Sequence, residues 1–126
     1  MPLAEDRQEG LYTVRWVSAD AIRIDDAEFR DSLLLMPDRV RDKVPAQRPA
    51  DIGEALVAEI LGYAPQVLIL GTGERQIFPP PALLAAFLGR GVGLEAMDNS
   101  AAARTYNLLA LEGRRVAGLF LLPHSG

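Results

Sequence analysis

The sequence contains no cysteine. That excludes disulfides, zinc–thiolate sites, iron–sulfur ligation and thiol nucleophiles together. It also suits a reducing compartment. Histidine occurs once, as His124 in "LLPHSG", so a histidine-based triad or metal cluster lacks its material. Lysine also occurs once, as Lys43. With the many alanines and glycines, this reads as the codon bias of a GC-rich genome. The net charge is −4, the pI is about 4.9, and there is no basic block. The electrostatic footprint of a nucleic-acid binder is therefore missing. No apolar run approaches the ~20 residues of a membrane span. The start, "MPLAEDRQEG", is polar and acidic, unlike a secretion signal or a mitochondrial presequence. The expectation is a cytoplasmic protein with no cofactor, no metal and no recognisable catalytic constellation.

What is present fits one ordinary domain: 126 residues, 49% hydrophobic and 24% charged, enough to build a core without covalent staples. Residues 1–10 read as a flexible lead-in, 11–123 as a single α/β domain and 124–126 as a tail. "LYTVRWV" alternates as a strand does. "AIRI" and "AEFRDSLLLM" flank Asp25-Asp26, a hairpin signal. The first third thus reads as an antiparallel meander. "PDRVRDKVPAQRPAD" carries three prolines and reads as a long connection, with an extended piece at Val40–Val44.

The periodicity then changes. "DIGEALVAEILGY" predicts a helix, with Asp51 and Glu54 spaced to cap its start and Gly62 placed to end it. "QVLIL" reads as a central strand covered on both faces. "PALLAAFLGR" predicts a second helix with Leu83, Leu84, Phe87 and Leu88 on one side. "GLEAM" is a short strand. "DNSAAARTYNLLALEG" is a third helix opening at Asp98 to Ser100, and "RRVAGLFLL" is a last strand of either direction. Helices alternating with strands predict right-handed parallel crossovers. The fold class is α/β: three layers around a central mixed sheet, the meander first and the alternation after it.

Two motifs carry the question of function. "LILGTGERQIFPPP" breaks from a strand into a glycine turn. It has no lysine for a phosphate-binding P-loop. Gln76 stands where a dinucleotide fingerprint needs its third glycine, and no helix follows at once. A tight turn with Gly71 and Gly73 at positive φ explains the glycines. The three prolines stiffen the path to the next helix. Phe78 is expected to lie buried beneath this loop; exposed, it would anchor a partner. The second motif is "MDNSAAARTYN". If the two middle strands are parallel, their C-terminal ends share the ligand-prone edge of the sheet. The candidate binding residues are then Gly71, Thr72, Gly73, Arg75, Gln76, Asp98, Arg104, Thr105 and Asn107. They could hold a small anion, or cap a helix and pair charges.

In order and at this spacing, "GTGERQIFPP" and "DNSAAARTYN" resemble a family signature. From Ile22 to Pro123 the chain resembles a small domain of unknown function. That domain is shared by mitochondrial complex I (NADH dehydrogenase) assembly factor 3, an adipogenesis-associated animal protein and many uncharacterised bacterial and archaeal proteins. The resemblance implies a three-layer fold around a mixed sheet and no established enzymatic activity. It implies a role in assembling a respiratory or membrane complex through contact with other proteins. Family members often carry cysteine where this chain has Ala103, which argues against a thiol role there. The leading expectation is a non-enzymatic assembly or adaptor domain, with homo-oligomers possible. The alternative is a small-molecule or anion-binding protein, or an unrecognised enzyme, using the Gly71–Gln76 and Asp98–Arg104 edge.

Overall fold

The strands divide between two sheets in the computed structural model, which describes residues 11–123. The lead-in, the tail and His124 lie outside the described residues. Strands β1 (Val14–Val17), β2 (Ile22–Ile24) and β3 (Ala27–Phe29) form an antiparallel sheet in that order. Asp25-Asp26 turns β2 into β3, with Asp25 at φ 53°; aspartate visits this left-handed region more readily than most residues.

The meander stops there, short of the expected extent. Strand β4 (Leu33–Met36) leaves it for a five-stranded sheet, where it pairs antiparallel with β5 (Arg39–Arg41) and β8 (Val116–Phe120). The physical reason is burial. All four β4 residues are buried, so this strand needs cover on both faces, which the central sheet supplies. Strand β6 (Val67–Gly71) runs parallel to both β7 (Gly93–Met97) and β8, giving the order β5-β4-β8-β6-β7. The last strand is thus parallel to β6 and antiparallel to β4, and the sheet is mixed.

Helices α1 (Glu54–Gly62) and α2 (Pro81–Leu88) cover one face, and α3 (Asn99–Leu111) covers the other. Alternation along the strands sends Leu68, Leu70 and Leu119 towards Leu56, Ile60, Leu83 and Phe87. Their neighbours Ile69 and Phe120 face Ala102 and Tyr106. The small sheet joins this second core through Val14, Ile22 and Ile24. Tyr106 meets Phe120 edge-on, with ring centroids 6.4 Å apart. Its burial pushes the phenol pKa well up, so the hydroxyl is a neutral donor, bonded to the Tyr12 carbonyl at 3.3 Å.

The start and end of α1 depart from expectation. Asp51 does not cap it. A 3₁₀ turn (Pro49–Asp51) intervenes, and the Asp51 carboxylate accepts the Gln47 and Arg48 amides at 3.1 Å each. Those bonds hold its pKa below the ordinary aspartate range. Gly53 is the N-cap, with no side chain to offer. At the other end Gly62 remains helical, and Ala64 takes the left-handed conformation at φ 55°.

Candidate functional site

Strands β6 and β7 end side by side, with Gly71 opposite Met97, so the two sequence motifs do meet at one edge of the sheet. Hydrogen bonds within the chain fill that meeting point. The Thr72 amide donates to the Met97 carbonyl at 2.9 Å. The Thr72 hydroxyl donates to the Arg75 carbonyl at 2.6 Å and accepts the Ile77 amide at 3.0 Å. Gln76 reaches across to donate to the Ala96 carbonyl at 2.8 Å. This carbonyl belongs to β7, the edge strand, so Gln76 blunts part of an open edge.

Asn99 is the keystone of the turn, and it stands outside the set of candidate binding residues. It is buried, with 3% of its surface exposed. Its Oδ1 accepts the Gly73 amide at 3.2 Å, and its Nδ2 donates to the Leu121 carbonyl at 3.0 Å. Its own amide donates to the Gly73 carbonyl at 2.8 Å. One side chain therefore ties β6, β8 and α3 together. The available signal was an asparagine, a poor helix former, directly after an aspartate cap.

The two glycines serve different ends. Gly73 has φ 101°, a true turn glycine. Gly71 does not have positive φ, contrary to expectation. It is glycine because a Cβ there would collide with Asn99 Oδ1 and crowd Phe120 Cδ1 at 3.1 Å.

The remaining candidates scatter. Asp98 caps α3, its Oδ1 accepting the Ala101 amide at 2.8 Å. Asn107 is engaged with β1: its amide exchanges bonds of 2.8 and 2.9 Å with the Val14 N–H and C=O, as a neighbouring strand would. Thr105 Oγ1 lies 3.5 Å from Met97 Sδ. The Arg75 and Arg104 guanidinium groups have no protein partner among the described residues. They do not converge. A cavity of about 260 Å³ beside the turn is lined by Gly73, Glu74, Asp98 and Ser100, without an arginine. Two carboxylates there oppose an anion. Arg104 lines a different cavity of about 250 Å³, with Arg15, Trp16 and Ser100. Among the described residues, no group of histidine, cysteine, aspartate and glutamate side chains is arranged to hold a metal.

Phe78 reverses expectation. It is 80% exposed rather than buried beneath its loop. The extended Phe78–Pro80 path alternates its faces, and Pro79 takes the buried one. Helix α2, three residues further on, exposes apolar side chains of its own. Of its eight residues only Leu83 and Phe87 are buried, and none is polar. Leu84 and Leu88, expected on the core side, are 38% and 67% exposed. A helix apolar all round normally lies inside a protein; here most of it faces outward.

A family model described as "Protein of unknown function (DUF498/DUF598)" matches residues 14–121, so the likeness begins at β1, before Ile22. The chain is similar to the "13 kDa major membrane protein" of Francisella tularensis: 34% identical over 62 residues, 49% of this chain and 50% of that protein. It is also similar to NADH dehydrogenase (ubiquinone) 1 alpha subcomplex assembly factor 3 of Bos taurus: 38% identical over 61 residues, 48% of this chain and 33% of that protein. Each match thus spans half or less of the curated relative. An NMR structure from Xanthomonas campestris superposes with a TM-score of 0.82 at 42% identity, covering 97% of this chain and 92% of that one.

Proposed function

We propose that this chain, which belongs to the DUF498/DUF598 family of proteins of unknown function, is a non-enzymatic assembly or adaptor domain acting on respiratory or membrane complexes. The observation that carries this reading is the exposed apolar surface of Phe78 with Leu84 and Leu88. Burying one such side chain against a partner recovers about 2 kcal/mol, and exposed aromatic anchors of this kind dominate protein interfaces. The turn beside it supports the same reading. Hydrogen bonds made by Asn99, Thr72 and Gln76 tie its backbone down, a firm mount for Phe78. One relative's name, an assembly factor for NADH dehydrogenase, points the same way. Another relative is named a membrane protein, while no helix among the described residues is long and apolar enough to cross a membrane.

The test is affinity purification from the native host after crosslinking, read by mass spectrometry. Respiratory or membrane-complex subunits should be enriched with the wild type and lost with Phe78→Ser. No enrichment above background with the wild type overturns the reading.

A second reading rests on Arg104. Among the described residues it has no partner, and it lies beside Arg15, Trp16 and Ser100 in a cavity of about 250 Å³, a setting for a small anion. A thermal-shift screen of anionic metabolites tests it. A hit must lose its shift with Arg104→Ala, and a hit indifferent to that change removes the reading.

A further inference from the structure

The other flank of α2 carries a different feature. Helices α1 and α2 both feed parallel strands of one sheet. β5 is antiparallel to β4, β4 to β8, and β8 is parallel to β6. So α1 crosses from β5 to β6 and α2 from β6 to β7, and the two helices run parallel to one another. Between them lies an open groove of about 590 Å³. Its walls are apolar and small: Val57, Ala58 and Leu61 from α1, Ala82 and Ala86 from α2. Leu84 and Leu88 project from the flank of α2 away from this groove.

Charges sit only at the ends of the groove. Glu54, in the first turn of α1, marks one end, and Arg90, just beyond α2, marks the other. Both are exposed, and neither side chain has a partner among the described residues. The nearby Glu59 is not free: it is held by Arg41 at 2.8 and 3.0 Å.

From this pattern we infer that the groove is the self-association surface of the protein, and that its occupant is a second copy of the same helix pair. An acidic end and a basic end on a parallel helix pair are self-complementary under a two-fold rotation. The rotation sets Glu54 of each copy against Arg90 of the other, forming two equivalent contacts of an isologous dimer. It also opposes the dipoles of the two helix layers, which point the same way within each copy. The small side chains let the layers approach closely, and the apolar walls supply the driving force. The layer is about 14 Å long and about 20 Å wide. That is roughly 280 Å² from each copy, below the roughly 800 Å² per partner of a stable complex, so the dimer is a weak, transient one that forms only at high protein concentration.

Analytical ultracentrifugation of the full chain across a concentration series tests this. The wild type should shift from monomer to dimer. Glu54→Arg and Arg90→Glu should each weaken dimerisation at least about tenfold, because each sets like charges at both contacts. The double variant should return to wild-type behaviour. A mixture of the two single variants should form a heterodimer, since both contacts are then complementary. Ala86→Arg, which obstructs the groove wall, should give a monomer. Circular dichroism melts establish that each variant is folded. A wild type that stays monomeric overturns the proposal, as does a dimer indifferent to both charge reversals. None of these variants touches Phe78, so partner capture through Phe78 stands or falls separately.

Discussion

Gly71 and Asn99 occupy one space. The space that glycine leaves free of a Cβ at 71 is where Asn99 Oδ1 sits, and Asn99 in turn bonds Gly73 and Leu121. Gly71→Ala should therefore cost about 2–3 kcal/mol through overpacking. Gly73→Ala meets no atom within 4 Å, so its cost is that of the backbone conformation alone, about 1–2 kcal/mol. Asn99→Ala should cost about 2–3 kcal/mol, because the Gly73 amide and Leu121 carbonyl lose their partner. In the Gly71→Ala/Asn99→Ala double variant the collision with Asn99 is gone and the tighter contact with Phe120 remains, so its cost should fall well below the sum. Urea unfolding of the four proteins completes the cycle, and strict additivity would refute the shared-space explanation. The turn glycine at 73 was legible from the sequence, because positive φ is a local demand. The demand at 71 was not, because it is set by a side chain on another element.

At the scale of elements, side chains stand in for strands and caps. Asn107 presents its amide to Val14 as a β-partner would, which joins the small sheet to α3. Asn107→Ala should cost about 1–2 kcal/mol and speed hydrogen exchange of β1 more than of β6. Equal effects on both strands would contradict this. Asp51 secures the 3₁₀ turn before α1. Its pKa is depressed in the fold by the amides it accepts. Its contribution is therefore present at neutral pH and lost as pH falls through that lowered value. A carboxyl titration followed by NMR should place its midpoint below the ordinary aspartate range, and a midpoint within or above that range would contradict the assignment. Element order and the β7 boundaries were legible from periodicity, since each apolar run matches one period. The departure of β4 from the meander was not. A buried four-residue run does not say which sheet it enters. Apolar residues at 84 and 88 also look like core in a sequence, because periodicity records hydrophobicity and not what covers it.

On the scale of the whole molecule, the protein carries apolar surface on both flanks of one helix and a closed polar network at its ligand-prone edge. The proposed role has Phe78 and its neighbours dock another protein. Phe78→Ser should leave the thermal midpoint unchanged within about 1 °C, since the ring buries little in the monomer and exposed substitutions are usually near neutral. Partner contact should respond strongly, as hot-spot truncation costs about 2 kcal/mol or more. The most direct measurement is quantitative crosslinking with mass spectrometry in the native host, comparing the wild type with Phe78→Ser at equal expression. Respiratory or membrane-complex subunits should be crosslinked near residue 78 in the wild type and reduced at least about tenfold in the variant. The same subunits recovered equally with both proteins, or none with either, would contradict it.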